Sequence, residues 1–547
     1  MTEELENRWR EHRMLEDQAR RIAIVVGIMV LSVIIALVTV VPDNGLNLAL
    51  GVFAGVLLVI AAFLRPEWTL LVVTIFAPLY VYTVDFGSLI PGTGITPING
   101  MMILVVIGAF LHRYSTTPPA AEATPVDKPL LLFLAWSALS IITGTLFWYY
   151  DSAGIGEWLQ MAAGYSSFWV VRRRWNSRRL AVFAVWVVMA MVAYQSYVVI
   201  IQYSNLDATA FNWDLKKQIV GTMGIPGGND TTRGNSNDVG AYLSAYGLVA
   251  FGLFMLMKRN FLRWPALLIF LAAGAATFAT YSRASMIAMI AGCLCMAMYK
   301  QKRLLLPLIA IVALLPSVLP GSISERFVNT SDDSAESRKD VWKRAAIVTL
   351  RNPIVGVGWR AYYKTQQNDG FKLRDPHNMF LLVSAEQGIP GLVFFVGALL
   401  GCGKVITDVL RRKNSPFVEG LALGMFGALV CFAVNNVFGS RMIYIYVMQH
   451  FWLLMGLLVV LAYVRPKEGE EAVSADVLEP EPVLAGPRPE SPWRYRSYFK
   501  SRSNRASNLW RILIDAPGLA GLAAVLPPGV GCKNRGCRLR VGRGGSS

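Results

Sequence analysis

The sequence predicts an all-α polytopic membrane protein of about 12–14 transmembrane helices, with a helical loop on its outer face. Three observations carry this. Of 547 residues, 54% are hydrophobic and 16% charged, whereas a soluble chain carries about a quarter charged; the mean hydropathy is +0.45. Many segments run 17 or more residues without a charge, close to the ~20 that cross the hydrocarbon of a bilayer. Basic residues gather in every second connector, as they do where positive charge orients membrane helices.

About fourteen spans follow in order, at roughly 22–41, 46–64, 68–84, 98–111, 129–149, 155–171, 180–203, 238–257, 262–280, 283–299, 304–320, 390–410, 417–437 and 442–463. Before them, residues 1–21 form a charged segment. It has neither the pattern nor the cleavage site of a signal peptide, so the first span is expected to stay as an anchor. Arg8, Arg10, Arg13, Arg20, Arg21, Arg65, Arg113, Lys128, Arg172–Arg174, Arg178, Arg179, Lys258, Arg259, Arg263, Lys300, Lys302, Arg303 and Arg411–Lys413 fall on one side. Connectors 42–45, 85–97 and 150–154 have no Lys or Arg. The positive-inside rule therefore puts both termini in the cytoplasm. The transmembrane body is expected to cover 22–464, and 465–547 to form a largely disordered cytoplasmic tail, acidic and Pro-rich first, then basic and aromatic. Its segment Trp493–Lys500 suits anionic lipid; a solvated tail is the plainer reading.

Two outward loops are long, 204–237 and 321–376, and loops of this length tend to be functional or disordered. The second has a reading of its own. Ser337–Leu350 has helical spacing, with Ser337 and Asp340 placed as a capping box. Asn352-Pro353 ends that helix. Gly356 and Gly358 permit a tight turn. Asn378–Glu386 restarts a short helix, which Gly388-Ile389-Pro390-Gly391 breaks before the next span.

Several function classes recede. The net charge of +17 could suggest nucleic acid, but much of the excess lies in the connectors and tail, so no nucleic-acid partner is expected. Cys293, Cys295, Cys402 and Cys431 lie in apolar runs as small hydrophobes. Cys532 and Cys537 have no ligand pair nearby for zinc. The Asp332-Asp333 pair could bind a divalent ion, but a solvated loop is the simpler account; no metal and no cofactor is expected. No Walker A, HExxH or GxSxG stands in a supporting context.

Two residues could carry chemistry. Arg283 interrupts two apolar runs at a hairpin tip with almost no loop. Guanidinium matches phosphate bidentately, so Arg283 reads as an anion clamp; the alternative is an interfacial anchor that snorkels to headgroups. His377 stands at a loop-to-helix junction, Asp375-Pro376-His377-Asn378. Histidine shuttles protons near neutral pH, and a helix start offers N–H groups to an anion; the alternative is a surface or capping histidine. Arg233 and Arg338 add outward positive charge, and loop 321–376 holds ten Lys/Arg against seven Asp/Glu.

Taken in order, these pieces resemble the O-antigen ligase and polymerase superfamily. They are the Asn235–Tyr246 entry, the Ser282-Arg283 turn and Arg338-x3-Trp342. After these come Asn352-Pro-x2-Gly-x-Gly358, His377-Asn378 and Glu386-x-Gly388-Ile389-x-Gly391. The likeness covers the membrane body, most clearly about 235–460; the tail has no counterpart in it, and the ligases have about twelve spans rather than fourteen.

The resemblance implies a GT-C-like bacterial inner-membrane glycosyltransferase with its site facing the periplasm, inverting and metal-independent. Its donor would be a glycan on undecaprenyl pyrophosphate and its acceptor a sugar hydroxyl of lipid A–core or another glycan. By that likeness His377 would be the general base. Arg283 would hold the pyrophosphate and stabilise the leaving group, helped by Arg338, Arg233 and Asn378 as substrate-binding residues. A polymerase of O-antigen or exopolysaccharide is the nearest alternative. A membrane transporter is the alternative from another class; it should show internal repeats or midplane charges, and neither is clear in this sequence.

Overall fold

The computed structural model describes residues 59–79, 97–111, 123–147, 152–175, 177–206, 212–227, 235–257, 261–328, 333–363, 365 and 375–463. All belong to the larger of two units, Met1–Ala485. The expected span 22–41, most of 46–64, the segment 1–21, the residue Arg233 and the tail 465–547 lie outside the described residues.

Among the described residues every regular element is helical, and the architecture is that of an all-α polytopic membrane protein. Lipid offers no partner to a backbone N–H or C=O, so a spanning segment must satisfy its own. In chain order the helices are α1 (Pro66–Phe76), α2 (Pro97–Leu111), α3 (Asp127–Phe147), α4 (Ser152–Arg174), α5 (Arg178–Ser204), α6 (Trp213–Gln218), α7 (Ser236–Leu256) and α8 (Arg263–Ala279). Then follow α9 (Arg283–Lys300), α10 (Leu305–Val318), α11 (Gly321–Val328), α12 (Asp333–Arg351), α13 (Met379–Arg411), α14 (Pro416–Val437) and α15 (Ile445–Tyr463). Seven are long and apolar enough to cross a membrane: α3, α5, α7, α9, α13, α14 and α15. They coincide with seven of the expected spans. The expected spans 68–84, 98–111 and 262–280 correspond to the shorter apolar helices α1, α2 and α8.

One boundary differs from expectation and one break recurs. α12 begins at Asp333, so Ser337 lies inside it rather than capping it. The break expected at 388–391 is present: α13 is two helical stretches that meet across a kink at Gly388, at φ 71°, with Pro390 two residues on. Pro390 lacks an N–H, but the kink before it has already opened the ladder there.

Burial locates the centre. α15 and α7 are buried along almost their whole length, while α3 and α13 bury less than half of theirs. α7 packs on α14 backbone to backbone. A Cβ on Gly252 would stand 2.3 Å from the Gly424 nitrogen and 2.5 Å from the Gly420 carbonyl oxygen. Gly420 and Gly424 repeat at helical spacing on α14, the small-residue pattern that lets membrane helices approach closely.

Both ends of the bundle carry ion pairs. At one end Arg172 pairs with Asp127 at 2.6 Å, Arg174 with Glu67 at 3.4 Å and Lys300 with Glu419 at 3.1 Å. Arg178 joins them, donating to Ser415 Oγ at 2.9 Å. The opposite end gathers the starts of α7, α9, α13 and α15 with the end of α14.

Filling the α7–α14 contact should be costly. Gly252→Leu is expected to destabilise the protein by roughly 1–3 kcal/mol or more through overpacking, read as a lower Tm of the detergent-purified chain. Gly403→Ala, whose added methyl meets only Leu429 at 3.6 Å, should leave Tm unchanged or slightly raised.

Candidate functional site

The site is built on the kink in α13. A residue at φ 71° breaks the helical ladder and leaves carbonyls without partners. The turn 353–358 supplies them. Val357 N–H donates to the Ala385 carbonyl at 3.0 Å and Gly358 N–H to that of Glu386 at 2.9 Å. In return, Ile389 N–H donates to the Pro353 carbonyl at 2.8 Å. Trp136 Nε1 donates to the Gln387 carbonyl at 2.8 Å. The fit requires glycine: at Gly356 (φ 67°) a Cβ would stand 2.3 Å from the Glu386 carbonyl carbon, and at Gly358 (φ 100°) 2.3 Å from Gly144 Cα on α3. The Glu386 carboxyl group, almost fully buried, accepts the backbone N–H groups of Arg360 and Tyr362. Arg360 also pairs with Glu157 on α4. The polar stretch after α12 is thus folded down onto α3, α4 and α13.

Just before α13, Asn378 caps the helix, its Oδ1 accepting the N–H of Phe380 at 3.0 Å and of Leu381 at 3.1 Å. Expected as a substrate contact, its side-chain oxygen is occupied in holding the helix start. His377 precedes it at φ 48°, with its side chain half exposed. Trp342 on α12 donates Nε1 to the Pro376 carbonyl at 2.9 Å. The helix that carries Arg338 is therefore fixed to the loop that carries His377. Arg338 is partly exposed.

Arg283 begins α9 after Tyr281, itself at φ 55°. It is partly exposed, and the turn beneath it is buried. Tyr281 Oη meets Ser322 Oγ of α11 at 3.0 Å. Ser282 Oγ lies 3.0 Å from Ser285 Oγ, and Ser285 Oγ donates to Asn435 Oδ1 at 3.1 Å.

Asn435 opens a segment that reaches the other candidate. Asn436 Oδ1 accepts the N–H of Arg441 at 3.0 Å and of Met442 at 3.3 Å. Ser440 Oγ then donates to Asp375 Oδ1 at 3.3 Å. Residues 435–442 thus anchor both the Arg283 turn and the His377 loop. Burial works against the charge of Arg441, but Asp238, then Tyr444 and Asp375, hold its guanidinium above the ordinary value. Its salt-bridge partner is Asp238 on α7, which completes a capping box with Asn235 and accepts the Tyr446 hydroxyl at 3.1 Å.

Asp375, Asp238, Arg441 and Tyr363 were not singled out in the sequence. Tyr363 donates its hydroxyl to Asp375 Oδ2 at 3.0 Å. Burial first and the Asp375 charge second push that phenol far above its ordinary range, so it stays protonated as a donor. Asp375 lies two residues before His377, a local signal that could have marked it. Arg441 and Asp238 are 203 residues apart and carried no such signal. Among the described residues no cluster of three or more His, Cys, Asp or Glu is placed to hold a metal ion.

Leaving one charge of a buried pair alone costs about 3–5 kcal/mol. Arg441→Leu is therefore expected to lower Tm sharply, and Asp238→Asn combined with Arg441→Leu to lower it less than Arg441→Leu alone, a non-additivity read by thermal unfolding in detergent.

No curated protein sequence matches the chain. Residues 266–396 match the family model described as O-antigen ligase. The matched stretch runs from α8 into α13 and holds Arg283, Arg338, Asp375, His377 and the kink at Gly388. Over these residues the chain is similar to the O-antigen ligase family.

Proposed function

We propose that this chain is a membrane glycosyltransferase of the O-antigen ligase type. It moves a glycan from undecaprenyl pyrophosphate to a sugar hydroxyl of lipid A–core. The observation that carries this reading is the shared anchoring of the Arg283 turn and the His377 loop on residues 435–442, at the end of the bundle opposite the basic clusters. That polarity suits a periplasmic site in the bacterial inner membrane, with basic ends and both termini in the cytoplasm. The family match over 266–396 adds a glycan-transferring class to the geometry.

The chemistry divides between the two segments. A sugar hydroxyl is a weak nucleophile at neutral pH. The His377 imidazole takes its proton as the oxygen attacks the anomeric carbon. The bond from that carbon to the pyrophosphate oxygen breaks on the opposite side, so configuration inverts. The electron pair leaves with undecaprenyl pyrophosphate, whose growing charge is met by Arg283, with Arg338 and Arg233 as further cations for the donor. His377 is half exposed and stands at a helix start, where a bulky polar acceptor has access.

His377→Ala and Arg283→Ala are each expected to reduce transfer by roughly 10²–10⁴-fold while the protein still inserts. The measurement is complementation of a deletion strain, with envelope glycans run on a gel and membrane levels of each variant blotted. Full-length glycan on lipid A–core with either variant would remove that residue from the mechanism. In the deletion strain itself, lipid-linked polymer should accumulate. Single-repeat products would instead indicate a polymerase, and an unchanged glycan profile would sink the enzyme reading.

A further inference from the structure

Asp375 is held more firmly than a loop residue needs to be. Its Oδ2 accepts the Tyr363 hydroxyl at 3.0 Å, and its Oδ1 accepts Ser440 Oγ at 3.3 Å. The residue after it, Pro376, is pinned through its carbonyl by Trp342. Capping of α13 is already done by Asn378. The remaining local bond of Asp375 goes to His377: Oδ1 accepts the His377 N–H at 2.5 Å, a side-chain-to-backbone turn two residues long. That turn supports His377 at φ 48°, where a residue with a Cβ costs about 1–2 kcal/mol. The same Oδ1 lies 4.0 Å from His377 Nδ1. This is beyond hydrogen bonding but within the distance at which a carboxylate favours the charged imidazole.

We propose that Asp375 is a positioning residue for His377: its carboxylate fixes the left-handed backbone of the histidine and faces Nδ1, leaving Nε2 as the nitrogen that meets the acceptor. This inference rests on His377 acting as the general base. Asp375 does not take the proton. It stabilises the imidazolium that forms when the hydroxyl is deprotonated. Among the described residues, five other titratable groups lie in its electrostatic surroundings. Tyr362 and Tyr363 come from the turn 361–363, Glu386 from α13, and Arg441 and Tyr444 from the segment after α14. Burial first, then Asp375, pushes the Tyr362 phenol up to about 12 and lifts Tyr363 far higher; burial likewise raises Tyr444. These phenols stay neutral across the working pH range, and Arg441 stays charged against Asp238.

The test uses the full-length chain in proteoliposomes. The donor is undecaprenyl pyrophosphate-linked glycan extracted from the deletion strain, and the acceptor is lipid A–core from the same strain. Asp375→Asn is expected to lower kcat roughly 10–100-fold with KM for both substrates unchanged. The acidic limb of its kcat–pH profile should move about one unit toward lower pH, because the imidazolium loses its counter-charge. A purely structural role would move neither the limb nor kcat alone. Wild-type kcat and pH limb in Asp375→Asn, or a loss confined to KM, would overturn the proposal. Should Asp375→Asn not elute as a folded protein, Tyr363→Phe takes its place. It keeps the carboxylate but frees it, and should lower kcat with KM unchanged; a wild-type kcat there would overturn the proposal equally. His377→Ala run alongside separates the two readings. Activity surviving in it removes the general base and Asp375's role together, whereas an inactive His377→Ala beside a wild-type-like Asp375→Asn removes Asp375 alone.

Discussion

The constraint on which this end of the molecule depends is the supply of hydrogen-bond donors to a broken helix. Gly388 at φ 71° interrupts α13, and each carbonyl it frees would cost several kcal/mol if left bare in hydrocarbon. The turn 353–358 and the Trp136 indole answer that demand. In doing so they bring the polar stretch after α12 down against α3 and α13, and the His377 loop with it. The kink is therefore the reason a hydrophilic loop has a fixed place above a lipid-facing bundle. Glycine is needed on both sides of the contact, because Gly356 presses on Glu386 while Gly358 presses on Gly144.

A second tier of bonds fixes the two candidate residues to one another's support. The Ser282–Ser285 turn reaches Asn435, and the Asp375 carboxylate reaches Ser440. Between these points Arg441 is paired with Asp238, a buried ionic contact that joins the start of α7 to the segment leading into α15. Since α7 and α15 are the most buried spans, the segment that carries both contacts is tied to the most rigid part of the bundle. Preorganisation of this kind matters for group transfer, where small displacements of a base or a cation cost large factors in rate.

Much of this was legible in the sequence, for identifiable reasons. Length and apolarity locate spans because the bilayer imposes both, and seven expected spans recur as long apolar helices. Asn352-Pro353 marks the end of α12 because proline restricts the residue before it. His377 stands out because histidine is rare here, with four in 547 residues. The failures are equally physical. Ser337 looked like a cap because its spacing to Asp340 is right, but spacing alone cannot place the first turn. The break at Gly388-Ile389-Pro390 was legible; the donors from the turn 353–358 and Trp136 that satisfy it were not. Asn378 has the local pattern of an N-cap and is one. Arg441, Asp238 and Tyr363 owe their importance to partners that only the folded topology supplies.

The partners of the kink also differ in how near they lie along the chain. Those of Ala385 and Glu386 come from the turn just upstream of α13. The partner of Gln387 lies 251 residues earlier, on α3. α13 can therefore enter the membrane with its break already half satisfied by the adjacent turn and dock onto α3 afterwards. The turn 353–358 is then an internal escort for a helix that lipid alone would reject.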